Sequence, residues 1–262
     1  MPEHNQNSIS LNKYISDHGI CSRREATKMI ADGRVTINEK PTKPGNRVAQ
    51  NDVVKIDGKK LKTRPNTIYI AFNKPVGIVC TTDMKEKKNI ISYINHKERL
   101  FPIGRLDKPS QGLIFLTNDG NIVNKILRAG NNHEKTYRVA VDRYVDDQFL
   151  SKMSNGIPIL GTITKKCKVR QLSESSFEII LTQGLNRQIR RMCEYLGYNV
   201  TKLKRTQIMN VSLGKLKIGQ SRALTSKEMS EINHMIGSSS KTKEASFDKG
   251  RKKGYSARKK KY

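Results

Sequence analysis

At 262 residues the chain can hold one large domain, or a small one and a medium one, but only 35% of it is hydrophobic, so part of its length is expected to lie outside any core. Its 51 Lys and Arg against 23 Asp and Glu leave a formal charge of +28, a self-repulsion that a polyanion relieves; nucleic acid is the leading partner and an anionic membrane surface the alternative. No stretch approaches the ~20 apolar residues of a transmembrane helix and the opening MPEHNQNSIS has no apolar signal segment, so a cytoplasmic protein is expected.

Residues 8–65 are expected to form a small domain. SLNKYISDHGI reads as a short helix stopped at Gly19, and CSRREATKMIADG as a second helix, with Ser22 and Glu25 in capping-box spacing and Gly33 as its stop. Ala26, Met29 and Ile30 share one face of that helix, with Arg24 and Lys28 opposite and Arg23 on the flank. RVTINEKPTKPGNRVAQNDVVKIDGKKL follows as short strands broken by Pro and Gly turns. The helix pair, GRVTINEK and NDVVKIDGK together resemble the S4-like RNA-binding domain. That resemblance implies that Arg23, Arg24 and Lys28 meet RNA phosphates and supply affinity with little base readout.

Residues 66–236 are rich in strand patterns: NTIYIAFNKPVGIVCTT, GLIFLTND, KTYRVAVD, GTITKKCKVRQ and SFEIILTQG. Few helical stretches alternate with them, which argues against a doubly wound parallel sheet and for a mixed, mainly antiparallel sheet with flanking helices, an α+β fold. The clearest helix is NRQIRRMCEYLG, with Asn186 as expected N-cap and Gly197 as stop. Ile189, Cys193 and Leu196 form its apolar face, Arg187 and Arg191 point away, and Arg190 falls on the border, where a side chain can reach an inner cleft. From Gly237 the chain carries ten Lys or Arg against two acids and almost nothing to bury. It reads as a disordered polybasic tail.

Cys21, Cys80, Cys167 and Cys193 are scattered without a CxxC pair and read as reduced thiols rather than zinc ligands. With no Walker loop and no GxGxxG, no metal and no small-molecule cofactor is expected, and side chains must carry any chemistry. One carboxylate then stands out. Asp107 lies between Arg105 and Lys108, just before the apolar run Leu113–Leu116. In isolation it is an ordinary loop salt bridge.

Three spaced motifs change that reading. FPIGRLDKPSQGLIFLTNDG resembles the catalytic motif of pseudouridine synthases, HEKTYRVAV the motif holding their active-site Tyr, and TQGLNRQIRRMCEYLGY the motif holding their active-site Arg. NKPVGIVCTT matches the opening strand of that catalytic domain. With the S4-like module, the pattern is that of the RsuA/RluB/RluE/RluF group, and VNKILRAGNNHEK and KLKRTQIMNVSLG resemble its RluF branch. The resemblance implies that Asp107, Tyr137 and Arg190 are the catalytic trio. The substrate it implies is large-subunit (23S) ribosomal RNA, with tRNA as a possible second one, and the enzyme is expected to be a monomer.

Isomerising uridine needs a carboxylate but no redox change, metal or energy source; Asp107 could act as nucleophile or as the base that takes the ribose 2′ proton. Arg190 would keep Asp107 ionised, and Tyr137 would stack on uracil. Arg105 would meet a phosphate or fill the gap left by a flipped nucleotide, or else pair with Asp107 itself. Arg187 is expected to bind RNA. Two rivals remain at this point: a non-catalytic RNA-binding or ribosome-assembly protein, and a nucleoside hydrolase that releases free uracil.

Overall fold

The computed structural model describes residues 8–237; the expected polybasic tail falls almost wholly outside them. The described residues separate into two units, residues 8–68 with His96–Leu100, and Tyr69–Asn95 with residues 101–237. No helix among the described residues is long and apolar enough to cross a membrane.

The first unit holds β1 (Ile9–Ser10), α1 (Leu11–Asp17), α2 (Arg23–Ala31), β2 (Val35–Ile37), β3 (Lys40–Pro41), β4 (Arg47–Val48), β5 (Val54–Ile56) and β6 (Lys59–Lys60). The capping box forms: Glu25 N–H donates to Ser22 Oγ at 3.2 Å, and Ser22 N–H donates to the Glu25 carboxylate at 2.7 Å. Two orphan amides of α2 are thereby satisfied, which starts the helix at Arg23. Ala26 and Ile30 then pack on Leu11, Ile15, Val35, Val48 and Val54, leaving Arg23, Arg24 and Lys28 exposed. Strands β3-β2-β5-β6 form the small sheet beside them.

In the second unit the chain runs β7 (Tyr69–Lys74), α3 (Ile90–Ile94), β8 (Phe101–Ile103), β9 (Gln111–Thr117), α4 (Gly120–Leu127), β10 (Lys135–Val141), α5 (Asp147–Asn155), β11 (Pro158–Ile159), β12 (Thr162–Ile163), β13 (Lys168–Ser173) and β14 (Ser176–Leu181). It ends with α6 (Gln188–Tyr195), β15 (Val200–Ile208), β16 (Val211–Ser212), β17 (Ser221–Ala223) and α7 (Ser226–Ile236). The main sheet has the order β13-β14-β10-β15-β9-β7-β17, with β16 beside β15 and β8 beside β9. Every pairing in it is antiparallel except β9 with β15, which are parallel over two residue pairs, Lys204–Gln111 and Arg205–Gly112. The mixed, mainly antiparallel sheet is thus two antiparallel halves joined by a short parallel seam.

Each half has its own core. Val139, Phe149, Met153, Phe177, Ile179 and Met192 fill one; Ala71, Leu113, Phe115, Ile126, Ile208 and Ile232 fill the other. At the seam Gly112 has φ of +114°, and an added Cβ would lie 2.2 Å from the Arg205 carbonyl oxygen. Only glycine lets the two backbones approach so closely there.

Three local expectations are corrected. GTITKKCKVRQ is not one strand: its first residues supply β12, which pairs with the preceding β11 in a hairpin, and Cys167 N–H then donates to Ser154 O at 2.9 Å, pinning the chain to the end of α5 before β13 begins. The basic stretch VTKLKRTQI, not anticipated as a strand, is β15 at the centre of the sheet. Asn186 is not the N-cap of α6. Arg187 takes that position in a left-handed conformation with φ of +50° and no side-chain cap, while Asn186 accepts from the Arg191 guanidinium through its backbone and side-chain oxygens at 3.2 and 3.4 Å.

Candidate active site

Asp107 stands on the turn between β8 and β9, which closes when Ser110 N–H donates to the Asp107 carbonyl at 3.0 Å. The turn projects from a strand whose residues Gly112 to Thr117 are all buried, so its position is set by the core of the sheet. Its carboxylate lies 3.9 Å from Arg190 Nε and 3.9 Å from Arg187 Nη1, through the same oxygen. These are charge contacts, too long for direct hydrogen bonds.

Arg190 is 12% exposed and ties three elements together. Nη1 donates to Val200 O at 3.2 Å, and Nη2 to Pro109 O at 3.1 Å and Ser110 Oγ at 3.3 Å. The first turn of α6 is therefore fastened to the Asp107 turn itself, and the border position anticipated from helical periodicity does reach inward. Burial and the neighbouring Arg187 charge lower the Arg190 pKa, against the pull of Asp107. Arg187 was expected to point away. It precedes the helix rather than lying on it, so helical periodicity does not govern its side chain, and it turns toward Asp107.

These groups open onto a cleft of about 670 Å³ that Arg105, Tyr137 and Arg205 also line. Tyr137 projects from β10 opposite Arg205 of β15. Arg205 Nη1 lies 3.5 Å from the Tyr137 hydroxyl, and the guanidinium carbon is 5.9 Å from the ring centroid. Arg105 is exposed at the rim. Among the described residues the ion pairs of Asp107 are those with Arg187 and Arg190, so the expected rival pairing with Arg105 does not form.

Three buried cations were missed by the sequence reading. Arg205 is 4% exposed, Lys135 7%, and Lys74 fully buried. Arg205 Nε donates to Leu113 O at 2.6 Å. Lys135 Nζ donates to His133 O at 3.0 Å, and Lys74 Nζ to Pro75 O and Ile78 O at 2.9 and 2.8 Å. Burial, reinforced by the charge of Arg205, pushes the Lys135 pKa down to about 8. Burial also lowers that of Lys74, against the attraction of Cys80 and Asp107. Burial dominates at the Cys80 thiol too and raises its pKa.

Arg23, Arg24 and Lys28 belong to the first unit, exposed on α2. All four cysteines are free thiols.

The family model described as RNA pseudouridylate synthase matches residues 68–195, and that of the S4 domain matches residues 10–54. The chain is 57% identical over 239 residues to the dual-specificity RNA pseudouridine synthase RluF of Salmonella typhi, covering 90% of this chain and 83% of that protein. This chain belongs to the RNA pseudouridine synthase family. The RluF of Escherichia coli (strain K12) is 55% identical over 235 residues, covering 89% of this chain and 81% of that protein. The ribosomal large subunit pseudouridine synthase B of Bacillus subtilis (strain 168) is 34% identical, covering 85% and 94%. A crystal structure of a pseudouridylate synthase superposes with a TM-score of 0.63 at 29% identity, covering 86% of this chain and 99% of that one. An S4 domain followed by a synthase domain is the architecture expected from the motifs, and the catalytic reading prevails over an RNA-binding protein without activity.

Proposed function

We propose that this synthase converts a specific uridine of large-subunit (23S) ribosomal RNA to pseudouridine, with Asp107 as the reacting carboxylate. The observation that carries the proposal is the approach of one Asp107 oxygen to both Arg187 and Arg190, at 3.9 Å each, in a cleft also lined by Tyr137. Both guanidinium groups face the carboxylate oxygen that would attack carbon or accept a proton. Arg190 fixes the turn that carries Asp107, Tyr137 stacks on the uracil that enters the cleft, and Arg105 at the rim contacts the backbone or fills the place of the flipped nucleotide.

The bond from uracil N1 to ribose C1′ breaks, the base turns, and C5 joins C1′; C5 gives up a proton and N1 gains one. Nothing else is consumed. A hydrolase would instead deliver water to C1′ and release uracil. The names of the curated relatives, dual-specificity RNA and large-subunit synthases, support ribosomal RNA as a substrate together with a second RNA, for which a tRNA is the candidate. The exposed basic face of α2 and the formal charge of +28 support phosphate contacts with RNA; a cytoplasmic, monomeric enzyme is part of the proposal.

The test is pseudouridine mapping on 23S rRNA and tRNA from a strain lacking the protein, with the purified enzyme added back. Restoration by the parent and not by Asp107→Asn is the expected result. Release of free uracil, or an Asn variant within tenfold of the parent, would overturn the assignment.

A further inference from the structure

Arg205 carries more than a structural load. Its Nε is spent on Leu113 O and its Nη1 leans on the Tyr137 hydroxyl, but Nη2 is buried with no hydrogen-bond partner among the described residues. A guanidinium N–H removed from water and left unmatched is unfavourable, and native interiors rarely tolerate one. The group lines the cleft beside Tyr137. Lys135, which lines the same cleft, has one hydrogen-bond partner among the described residues, a carbonyl, for an ammonium with three protons. Neither cation has a carboxylate partner within ion-pair distance among the described residues. Two buried cations of the cleft lining are therefore left without a matching negative charge among the described residues.

The reaction supplies that charge. On either route open to Asp107, rupture of the N1–C1′ bond leaves its electron pair on the base, spread over N1, O2 and O4. Resting on the proposed synthase reading, we infer that Arg205 is a catalytic residue: its free Nη2–H donates to a uracil carbonyl oxygen and stabilises the anionic base, with Lys135 as a second cation beside it. The hydrogen bond strengthens as the carbonyl gains charge, so it favours the transition state over bound uridine. The same contact holds the detached base while it turns. Afterwards the C5 electron pair forms the bond to C1′, the C5 proton passes to solvent, N1 is reprotonated, and the carbonyl returns to neutrality.

The test compares two substrates on the same protein. A target hairpin is made with uridine or with 5-fluorouridine at the modified position; fluorine withdraws electrons and makes the base a better leaving anion. Single-turnover rates of loss of the original nucleoside are read by mass spectrometry for the parent and for Arg205→Gln. On uridine the variant is expected to be slower by roughly 10²-fold, the loss typical of one anion-stabilising donor. On the 5-fluorouridine hairpin the loss should be at least ~10-fold smaller. Because each ratio is taken within one preparation, partial unfolding cancels.

If Arg205→Gln does not fold, Arg205→Lys takes its place, since a single ammonium cannot hold Leu113 O and reach the base together. An unchanged substrate ratio overturns the inference and leaves Arg205 a strand-positioning residue. A loss confined to RNA affinity and its salt dependence also overturns it, by making Arg205 a phosphate contact. Failure of the parent enzyme to consume uridine in the hairpin or in 23S rRNA would instead strike the synthase reading itself.

Discussion

The basic face of α2 and the buried cations of the second unit, two of which line the candidate cleft, use the same residue types in opposite ways. Arg23, Arg24 and Lys28 stand in water, where a charge keeps its hydration and its attraction for phosphate is screened by salt. Lys74, Lys135 and Arg205 are each less than a tenth exposed, so they are few, and backbone carbonyls hold each in place. Surface cations provide affinity in number; buried ones provide geometry singly. Asp107 stands between these regimes, 34% exposed and 3.9 Å from two guanidinium groups, open enough to meet a ribose.

The sharpest way to break this contrast is Asp107→Asn, which is nearly isosteric. Turnover should fall on the order of 10³-fold or more, while the RNA dissociation constant and unfolding midpoint stay near those of the parent. An equal loss of affinity would move Asp107 into the binding surface. Arg190→Met should lower turnover by roughly 10²-fold with modest change in affinity. It should also destabilise the fold by about 1–3 kcal/mol, since Val200 O and Pro109 O lose their donor; denaturant unfolding and single-turnover kinetics separate the two effects.

Lys135 tests the buried side through pH. Its pKa of about 8 in the folded protein lies below the ~10.4 of a free lysine. Between those values the unfolded chain holds a proton that the native state has released, so this residue's contribution to stability rises with pH across that window. Roughly 3 kcal/mol of unfavourable burial is present at pH 7 and gone by about pH 10.5. The unfolding free energy of Lys135→Met relative to the parent should fall by about that amount over the range. Parallel curves would mean that Lys135 is not buried as a cation.

The smallest effect is expected on the exposed side. Arg24→Ala with Lys28→Ala should reduce the slope of log affinity against log salt by ~1.4 to ~1.8, at ~0.7 to ~0.9 per contact, with turnover at saturating RNA preserved. A drop in saturated turnover would show that α2 does more than hold RNA.

Much of this molecule is legible along the chain because its signals are local. The capping box at Ser22 and Glu25 needs only four residues, and the buried run from Gly112 to Thr117 announces a covered strand by composition alone. The family resemblance picks out Asp107, Tyr137 and Arg190, and those three do face one cleft. Arg205 was illegible for a physical reason: in KLKRTQI an arginine among lysines has the pattern of a solvated edge, and only the neighbours on β9 and β10 bury it. Asn186 misled because a capping side chain competes with other partners, and Arg191 took its oxygen. Arg187 escaped helical periodicity by lying one residue ahead of the helix.

The amino-acid sequence by itself determined the class of fold through its strand and helix patterns, and its spaced motifs, by resemblance to a known family, pointed to the S4 domain with its basic helix and to Asp107 as the candidate carboxylate. Tertiary structure alone decided which cations meet that carboxylate and which lie buried without one. That choice depends on the parallel seam between Gly112 and Arg205, residues 93 positions apart that glycine lets come together. Charge is a property of a residue, but its hydration and its partners belong to the neighbours that packing supplies.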